Sequence, residues 1–254
     1  MAELRPNHAK VKLAAGEIVT ALADADYPDW IDFIGQTGIE AIWIEAEHGP
    51  VDFVHIGDLT RACDLWEMTS LVRVGRAEAN VIYRTLDRGA QGIVVPHVDT
   101  PEQAKLVVDA AKFAPIGHRG VATNRQGFGV ADYFEKANDQ TMIVVLIEDI
   151  QAVRNLDAIL NVDHIDVFHV APSDLAQSMG YPAQADHPAV LRTVDESIAK
   201  ILAADRTAGM SVTLDTVGTY IRAGVRFFYH SVEGWILGGA SQYLTTVRDV
   251  KTSA

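Results

Sequence analysis

Short apolar runs alternate with amphipathic segments along almost the whole chain. Eight of these runs, rich in Val, Ile and Ala, have the length of buried strands. The predicted strands are Glu17–Ala23, Ala41–Glu45, Ser70–Val74, Gly92–Val98, Met142–Ile147, Asp166–Val170, Met210–Leu214 and Arg226–Ser231. The clearest helical segments between them are Pro28–Gly35, Phe53–Leu65, Asn80–Arg88, Pro101–Lys112 and Pro188–Ala204. This alternation predicts an α/β protein with a parallel sheet that is buried on both faces.

The number of repeats favours a barrel. Eight β/α units in 254 residues match the size of one TIM (β/α)8 barrel. The alternative is a doubly wound sheet, which commonly has fewer strands and often a Gly-rich phosphate loop after the first one. The first predicted strand is instead followed by Asp24-Ala25-Asp26. We therefore predict a single (β/α)8 domain over residues 1–254.

Two stretches depart from the plain alternation. The segment Pro115 to Gln140 is long, polar and Gly-rich, and it lies between the fourth and fifth predicted strands. Loops of this length in compact domains tend to be functional or to meet a partner subunit. The stretch Trp235 to Val250 has a helical pattern with one apolar face. We expect this last helix either to close the barrel or to be exchanged with a neighbouring subunit.

Composition excludes several classes of protein. A net charge of −13 argues against a nucleic-acid partner, because phosphate recognition needs a basic face. The single cysteine, Cys63, excludes an internal disulfide and a multi-cysteine zinc site, and it is expected to be a packed thiol. No signal-peptide core and no apolar stretch of transmembrane length are present, so a reducing, cytoplasmic setting without a membrane partner is expected.

Two carboxylates follow neighbouring predicted strands. Glu148 comes directly after the fifth strand, and Asp174 comes shortly after the sixth. Because the carboxyl ends of parallel strands meet at one rim, these acids are expected to lie side by side. Hard oxygen ligands in such a pair are suited to a divalent cation such as Mg²⁺. The alternative is that both are solvated loop acids, with Asp174 capping a short helix.

Further candidates lie at the same predicted rim. His48 follows the second strand and is either a catalytic base or a hydrogen-bonded loop residue. Arg73 lies within an otherwise apolar strand, where an unpaired charge is costly, so we expect an anionic partner, either a neighbouring carboxylate or a substrate. Asp87 alone would be interpreted as a solvated helix residue. His97 and His169 interrupt predicted buried strands and are expected to be satisfied core histidines.

The order of these residues along the chain resembles the HpcH/HpaI aldolases, which are metal-dependent (class II) pyruvate aldolases. The resemblance covers roughly residues 15 to 245, and its motifs are specific as a set. They are Glu45-Ala46-Glu47-His48-Gly49, Val72-Arg73-Val74, Leu86-Asp87-Arg88-Gly89-Ala90-Gln91-Gly92, Val95-Pro96, Gly117-His118-Arg119-Gly120-Val121, Ala137-Asn138-Asp139-Gln140, Ile147-Glu148 and Pro172-Ser173-Asp174-Leu175-Ala176-Gln177-Ser178-Met179-Gly180.

The resemblance implies a TIM barrel, often a homohexamer that exchanges its last helix, and aldol cleavage or condensation of 4-hydroxy-2-oxo acids. Glu148 and Asp174 would bind Mg²⁺, Mn²⁺ or Co²⁺. Arg73 would stabilise the enolate of pyruvate or hydroxypyruvate, and the backbone around Ser173 and Asp174 would receive the substrate carboxylate. His48 would act as acid and base at the aldol hydroxyl, whose oxygen becomes the carbonyl oxygen of the second product, an aldehyde.

The resemblance also implies that Asp87 orients His48 and tunes its pKa. The chain departs from the family pattern at three places. Leu146 stands where many members have glutamine, Ala171-Pro172-Ser173-Asp174 replaces Gly-Pro-Ala-Asp, and His97 stands where an apolar or amide side chain is commoner. His97 would be able to contact a substituent on C3 of the donor.

Two other functions remain open from the sequence. One is a lyase on the same barrel that acts on a CoA thioester, although the acidic composition offers no obvious basic surface for CoA. The other is a non-catalytic metabolite-binding barrel, for which Leu146 is the only support.

Overall fold

Eight parallel strands close into a barrel in sequence order in the computed structural model, which describes residues 2–122 and 124–252. The strands are β1 Val19–Ala23, β2 Ala41–Glu45, β3 Thr69–Arg73, β4 Gly92–Val95, β5 Met142–Ile147, β6 Val167–Val170, β7 Ala208–Ser211 and β8 Phe227–Ser231. The predicted TIM barrel is therefore confirmed. Strands β2 and β5 have the predicted bounds, and the others differ by a few residues at one end or both.

Helices surround the barrel. They are α1 His8–Ala14, α2 Pro28–Gly35, α3 Phe53–Leu65, α4 Ala79–Asp87, α5 Pro101–Ala111, α6 Tyr133–Gln140, α7 Ile150–Arg154, α8 Leu156–Leu160, α9 Pro172–Ser178, α10 Pro188–Ala203, α11 Val217–Ala223 and α12 Val232–Thr252. The segment predicted as a long loop contains α6 and a short 3₁₀ turn at Arg125–Gly127. Among the described residues, no helix combines the length and the apolar character needed to cross a bilayer.

The fourth strand is shorter than predicted. It ends at Val95 because Pro96 has no N–H to donate to the ladder and His97 adopts a left-handed backbone, with φ of 50°. The prediction that His97 is a core histidine of a buried strand is therefore wrong. Its side chain is 57% exposed at the rim, with Nδ1 2.7 Å from Oδ2 of Asp149.

Alternate residues of the strands face the inside of the barrel. There they form an apolar cluster that ends, near the carboxyl ends of the strands, in three rings contributed by Trp43, His169 and Tyr229. The ring centroids of Trp43 and Tyr229 are 4.9 Å apart. Gly209 allows this arrangement, because a Cβ at that position would lie 2.7 Å from Nδ1 of His169.

The opposite end of the barrel is closed by helix α1. Its Ala9 is fully buried in the inner cluster, and its backbone N–H donates to Oγ1 of Thr69 at the start of β3. Asn7 caps this helix and donates to the carbonyl of Gln91, which lies just before β4. An interior pocket can therefore open only at the rim formed by the carboxyl ends of the strands.

Outside the barrel, the strands pack against the helices in a second, larger core. Cys63 of α3 is fully buried there, and burial raises the pKa of its thiol, as expected for a packed thiol. Helix α12 follows the predicted helical pattern but covers little of its own barrel. Its large apolar side chains are exposed: Trp235, Ile236, Leu237, Tyr243 and Leu244.

Candidate active site

The two predicted metal ligands lie at the rim. Glu148 directly follows β5, its side chain is only 2% exposed, and Oε1 accepts a hydrogen bond of 2.8 Å from the backbone N–H of His97. Asp174 lies in the first turn of α9, immediately after β6. The charge of Asp174 acts on Glu148, so the structure brings the two acids together as the sequence predicted.

The electrostatic state of Glu148 favours a cation. Burial raises the pKa of its carboxyl group to about 7, and the negative charges of Asp174 and Glu47 act in the same direction. No cluster of three or more His, Cys, Asp or Glu side chains within residues 2–122 and 124–252 is arranged to hold a metal. Two carboxylates suffice for Mg²⁺, which usually keeps several waters and takes further oxygens from the substrate. Glu148 and Asp174 therefore fit a divalent cation.

Arg73 has the anionic partner that its position in an apolar strand predicted. Its Nε lies 2.6 Å from Oε2 of Glu45 and 3.3 Å from Oε2 of Glu47. Both contacts are made by Nε, and the rest of the guanidinium group lines the pocket at the rim. Glu45 and Glu47 were given no role from the sequence. The Glu-x-Glu spacing at the end of β2 could have identified them, because side chains two residues apart on a strand point to the same side, here the barrel interior.

Glu45 also shapes the loop that follows β2. Its side chain is almost fully buried, and Oε1 accepts hydrogen bonds from the backbone N–H groups of Glu47 and His48, at 2.8 and 3.0 Å. Its other oxygen holds Arg73. One buried carboxylate therefore fixes both the guanidinium group and the start of the loop that carries His48.

His48 and Asp87 are not brought together. His48 is 71% exposed at the mouth of the pocket, with Nε2 3.7 Å from Oε2 of Glu47. Asp87 is the last residue of α4, which runs from the rim toward the other end of the barrel, and its Oδ1 accepts a 2.8 Å hydrogen bond from Nη2 of Arg119. The expectation that Asp87 orients His48 is therefore not met within one chain, because the helix carries the carboxylate away from the rim.

A pocket of about 470 Å³ extends from Asp174 at the rim to Trp43 and His169 in the barrel interior. Ser173 and Asp174 line it at the rim, and Arg73 and Leu146 line its walls. Its other lining residues are Trp43, His169, Ala171, Pro172, Ser211 and Tyr229. The pocket thus brings Asp174, the guanidinium group of Arg73 and several neutral polar side chains to one space.

The raised pKa of Glu148 makes a prediction about stability. Its ordinary pKa is 4.5, and folding raises it to about 7, so the folded state binds the proton more tightly between these values. In metal-free protein, the Glu148 contribution to the free energy of unfolding should therefore fall as the pH rises from 4.5 to 7, by up to about 3 kcal/mol. Urea unfolding in chelator across this range, compared with Glu148→Gln, measures it. A difference between the two proteins that does not change with pH would contradict the prediction.

Comparisons with known proteins agree with this geometry. Residues 22–245 match the HpcH/HpaI aldolase/citrate lyase family. The chain is 36% identical over 219 residues to a 2-keto-3-deoxy-L-rhamnonate aldolase of Klebsiella pneumoniae, covering 82% of this chain and 80% of the relative. It is 37% identical over 201 residues to a hydroxypyruvate/pyruvate aldolase of Roseobacter denitrificans, covering 77% and 78% of the two chains.

A solved structure gives the same result. A HpcH/HpaI aldolase/citrate lyase family protein from Burkholderia cenocepacia matches with a TM-score of 0.89 and 28% sequence identity, over 95% of this chain and 99% of that chain. The resemblance inferred from the sequence motifs is therefore confirmed. The chain belongs to the HpcH/HpaI aldolase/citrate lyase family, and it is an aldolase, a carbon–carbon lyase, built on a TIM barrel.

Proposed function

We propose that this aldolase cleaves 4-hydroxy-2-oxo acids into pyruvate or hydroxypyruvate and an aldehyde, catalyses the reverse addition, and requires Mg²⁺, Mn²⁺ or Co²⁺. The observation that carries the proposal is the buried carboxylate of Glu148, which lies beside Asp174 at the rim and close to the pocket that Arg73 lines. Two relatives of this chain, the 2-keto-3-deoxy-L-rhamnonate aldolase and the hydroxypyruvate/pyruvate aldolase, support the same class of substrate.

Glu148 and Asp174 would hold the cation, and Arg73 would act on the substrate. A bound divalent cation supplies positive charge beside the keto oxygen when a proton leaves C3. Glu45 and Glu47 fix Nε of Arg73, so its remaining N–H groups are free to donate to the same oxygen as negative charge develops there. Because the guanidinium group is already held in place, little reorganisation is needed during the reaction.

The carboxylate of the 2-oxo acid is placed at the start of α9. Ser173 and Asp174 line the pocket there, and the Ser173 hydroxyl and the backbone of both residues would bind the carboxylate. His48 is placed at the mouth, where it would take or return the proton of the aldol hydroxyl, through a water molecule. Glu47 is its nearest acidic neighbour within the chain, whereas Asp87 lies at the other end of the barrel.

Removal of the metal tests the proposal directly. Protein treated with a chelator should lose release of pyruvate from a 4-hydroxy-2-oxo acid and regain it when Mg²⁺, Mn²⁺ or Co²⁺ is added. Pyruvate release is followed in a coupled assay, and added Ca²⁺ and Zn²⁺ serve as comparison ions. Activity that is untouched by chelation would contradict the assignment of Glu148 and Asp174.

The same preparation separates the two alternative functions. Cleavage of a CoA thioester, without cleavage of any hydroxy-oxo acid, would favour the thioester lyase. Calorimetric binding of metal and pyruvate, without turnover of either class of substrate, would favour a metabolite-binding barrel.

We also propose that α12 binds a second copy of the chain in a homo-oligomer. The family resemblance implies that this oligomer is a hexamer. Ile236, Tyr243 and Leu244 recur at helical spacing on one face of α12, and all three are exposed within a single chain. A helix of 21 residues whose apolar face covers little of its own barrel needs another surface for that face.

Substitution of this face should reduce the size of the assembly. The double variant Ile236→Glu, Leu244→Glu is expected to sediment as a smaller species than the wild type, because two charges would be buried at the interface. Ser241→Glu places a charge on another face of the same helix and serves as the control. A wild-type protein that sediments as a monomer would contradict the proposal. A double variant whose assembly has the same mass as the wild-type assembly would also contradict it.

A further inference from the structure

The inner end of the pocket contains a polar pair that the proposed reaction does not use. His169 of β6 is 1% exposed, and its Nε2 lies 3.0 Å from Oγ of Ser211 on β7. Its Nδ1 is also buried and has no hydrogen-bond partner. Ser211 lines the pocket together with Arg73 and Tyr229. A buried histidine with one free nitrogen is costly, so this pair needs an explanation.

The unpartnered nitrogen indicates which atom carries the proton. Burial and the charge of Arg73 lower the pKa of His169 to about 3, so the ring is neutral and carries one N–H. A proton on Nδ1 would leave a buried donor without an acceptor, whereas a proton on Nε2 leaves only a lone pair unsatisfied, which occurs more often in proteins. With the proton on Nε2, His169 donates to Ser211, and the Ser211 hydroxyl is then free to donate into the pocket.

The charges around the pocket determine which substrate group Ser211 can bind. Arg73 is the only cationic side chain among the residues that line it, and it is already paired with Glu45 and Glu47. The two negative charges of Glu148 and Asp174 would neutralise a divalent cation. The single carboxylate of a bound 2-oxo acid would then give the site a net negative charge. A second carboxylate would find no further cation, whereas a neutral hydroxyl would be satisfied by Ser211 and His169.

Ser211 lines the same pocket as Ser173 and Asp174, beside which the carboxylate of the donor would bind. With its carboxylate and keto group held at the end of the pocket near Asp174, the donor would leave C3 to face the remaining lining, to which Ser211 belongs. Resting on the proposed function, we propose that Ser211, held by His169, binds a hydroxyl group on C3 of the donor. The enzyme is then specific for 3-hydroxy-2-oxo acids such as hydroxypyruvate over pyruvate, and Ser211 determines that specificity.

Donor competition tests the inference. Wild-type protein should show a higher kcat/KM for hydroxypyruvate than for pyruvate with one common aldehyde, and Ser211→Ala should lower the ratio of the two values about tenfold, as expected for one lost hydrogen bond. His169→Phe should lower the ratio in the same direction, because Ser211 loses the group that orients it. His169→Gln, whose amide can still donate to Ser211, should recover part of the ratio. An unchanged ratio in Ser211→Ala would overturn the inference.

Binding without turnover separates this inference from the proposed function. Calorimetric titration of the Mn²⁺-loaded protein, with no aldehyde present, should show tighter binding of hydroxypyruvate than of pyruvate or oxaloacetate, and Ser211→Ala should remove most of the difference from pyruvate. If wild-type protein binds hydroxypyruvate selectively but cleaves no hydroxy-oxo acid, the subsite stands and the proposed function fails. If oxaloacetate or pyruvate binds more tightly than hydroxypyruvate, the subsite inference fails, whatever the turnover.

Discussion

Replacing Arg73 with alanine is expected to slow proton exchange at C3 of pyruvate by at least about a hundredfold, the usual cost of losing a fixed donor to a developing oxyanion. Glu45 and Glu47 hold Nε of this side chain, so the guanidinium group is already in position when negative charge develops on the substrate. Exchange is measured by proton NMR as the loss of the pyruvate methyl signal in D₂O. Saturating Mg²⁺ is used instead of Mn²⁺, because Mn²⁺ is paramagnetic and would broaden the signal.

Controls separate catalysis from folding in this experiment. Arg73→Ala leaves two buried carboxylates without their cation, so thermal unfolding should be recorded beside exchange. Arg73→Lys keeps the charge but lacks the planar fork and should recover only part of the exchange rate. A folded, metal-binding Arg73→Ala protein that exchanges C3 protons at the wild-type rate would contradict the role of Arg73.

Replacing His48 with alanine should slow aldol cleavage by about a hundredfold to ten-thousandfold, the range for loss of a general acid or base, and slow C3 exchange far less. The reason is position, because His48 stands at the exposed mouth of the pocket, whereas Arg73 lines its wall. Both rates are measured on the same protein, one as release of pyruvate and the other in D₂O.

His97 provides a matched control at the same rim. Its side chain is 57% exposed, and alanine retains the 2.8 Å hydrogen bond from the backbone N–H to Oε1 of Glu148, losing only the longer contact of 3.5 Å between Nδ1 and the same oxygen. His97→Ala should therefore keep much more cleavage activity than His48→Ala. Equal losses of cleavage and exchange in His48→Ala would show that His48 does not act mainly at the aldol hydroxyl.

Most of the fold follows from local pattern. The apolar runs around Trp43 and Val144 gave the bounds of β2 and β5 correctly, because both strands are buried along their whole length. The apolar run that begins at Gly92 predicted too long a strand. It extends to Val98, whereas the hydrogen-bond ladder of β4 ends at Val95. Hydrophobicity reports burial, whereas the end of a strand depends on which backbone groups can pair.

The site was predictable where topology alone decides position. Glu148 and Asp174 follow adjacent parallel strands, so their proximity required no knowledge of side-chain contacts. The pairing of His169 with Ser211 was not predictable, because it depends on the orientation of one ring. The expected contact of Asp87 with His48 is absent within one chain because motif order along a chain does not indicate at which end of a helix a residue lies.

The position of the donor pocket inside the barrel has a consequence for how this enzyme can change. The residues that would read the donor, such as Ser211 and Tyr229, belong to strands whose spacing is fixed by the closed hydrogen-bond ladder. The loops at the mouth, which carry His48 and His97, are exposed, and exposed loops tolerate changes around a catalytic residue. A change of acceptor preference would therefore need only changes in exposed loops, whereas a change of nucleophile would need a substitution on a strand of the closed barrel.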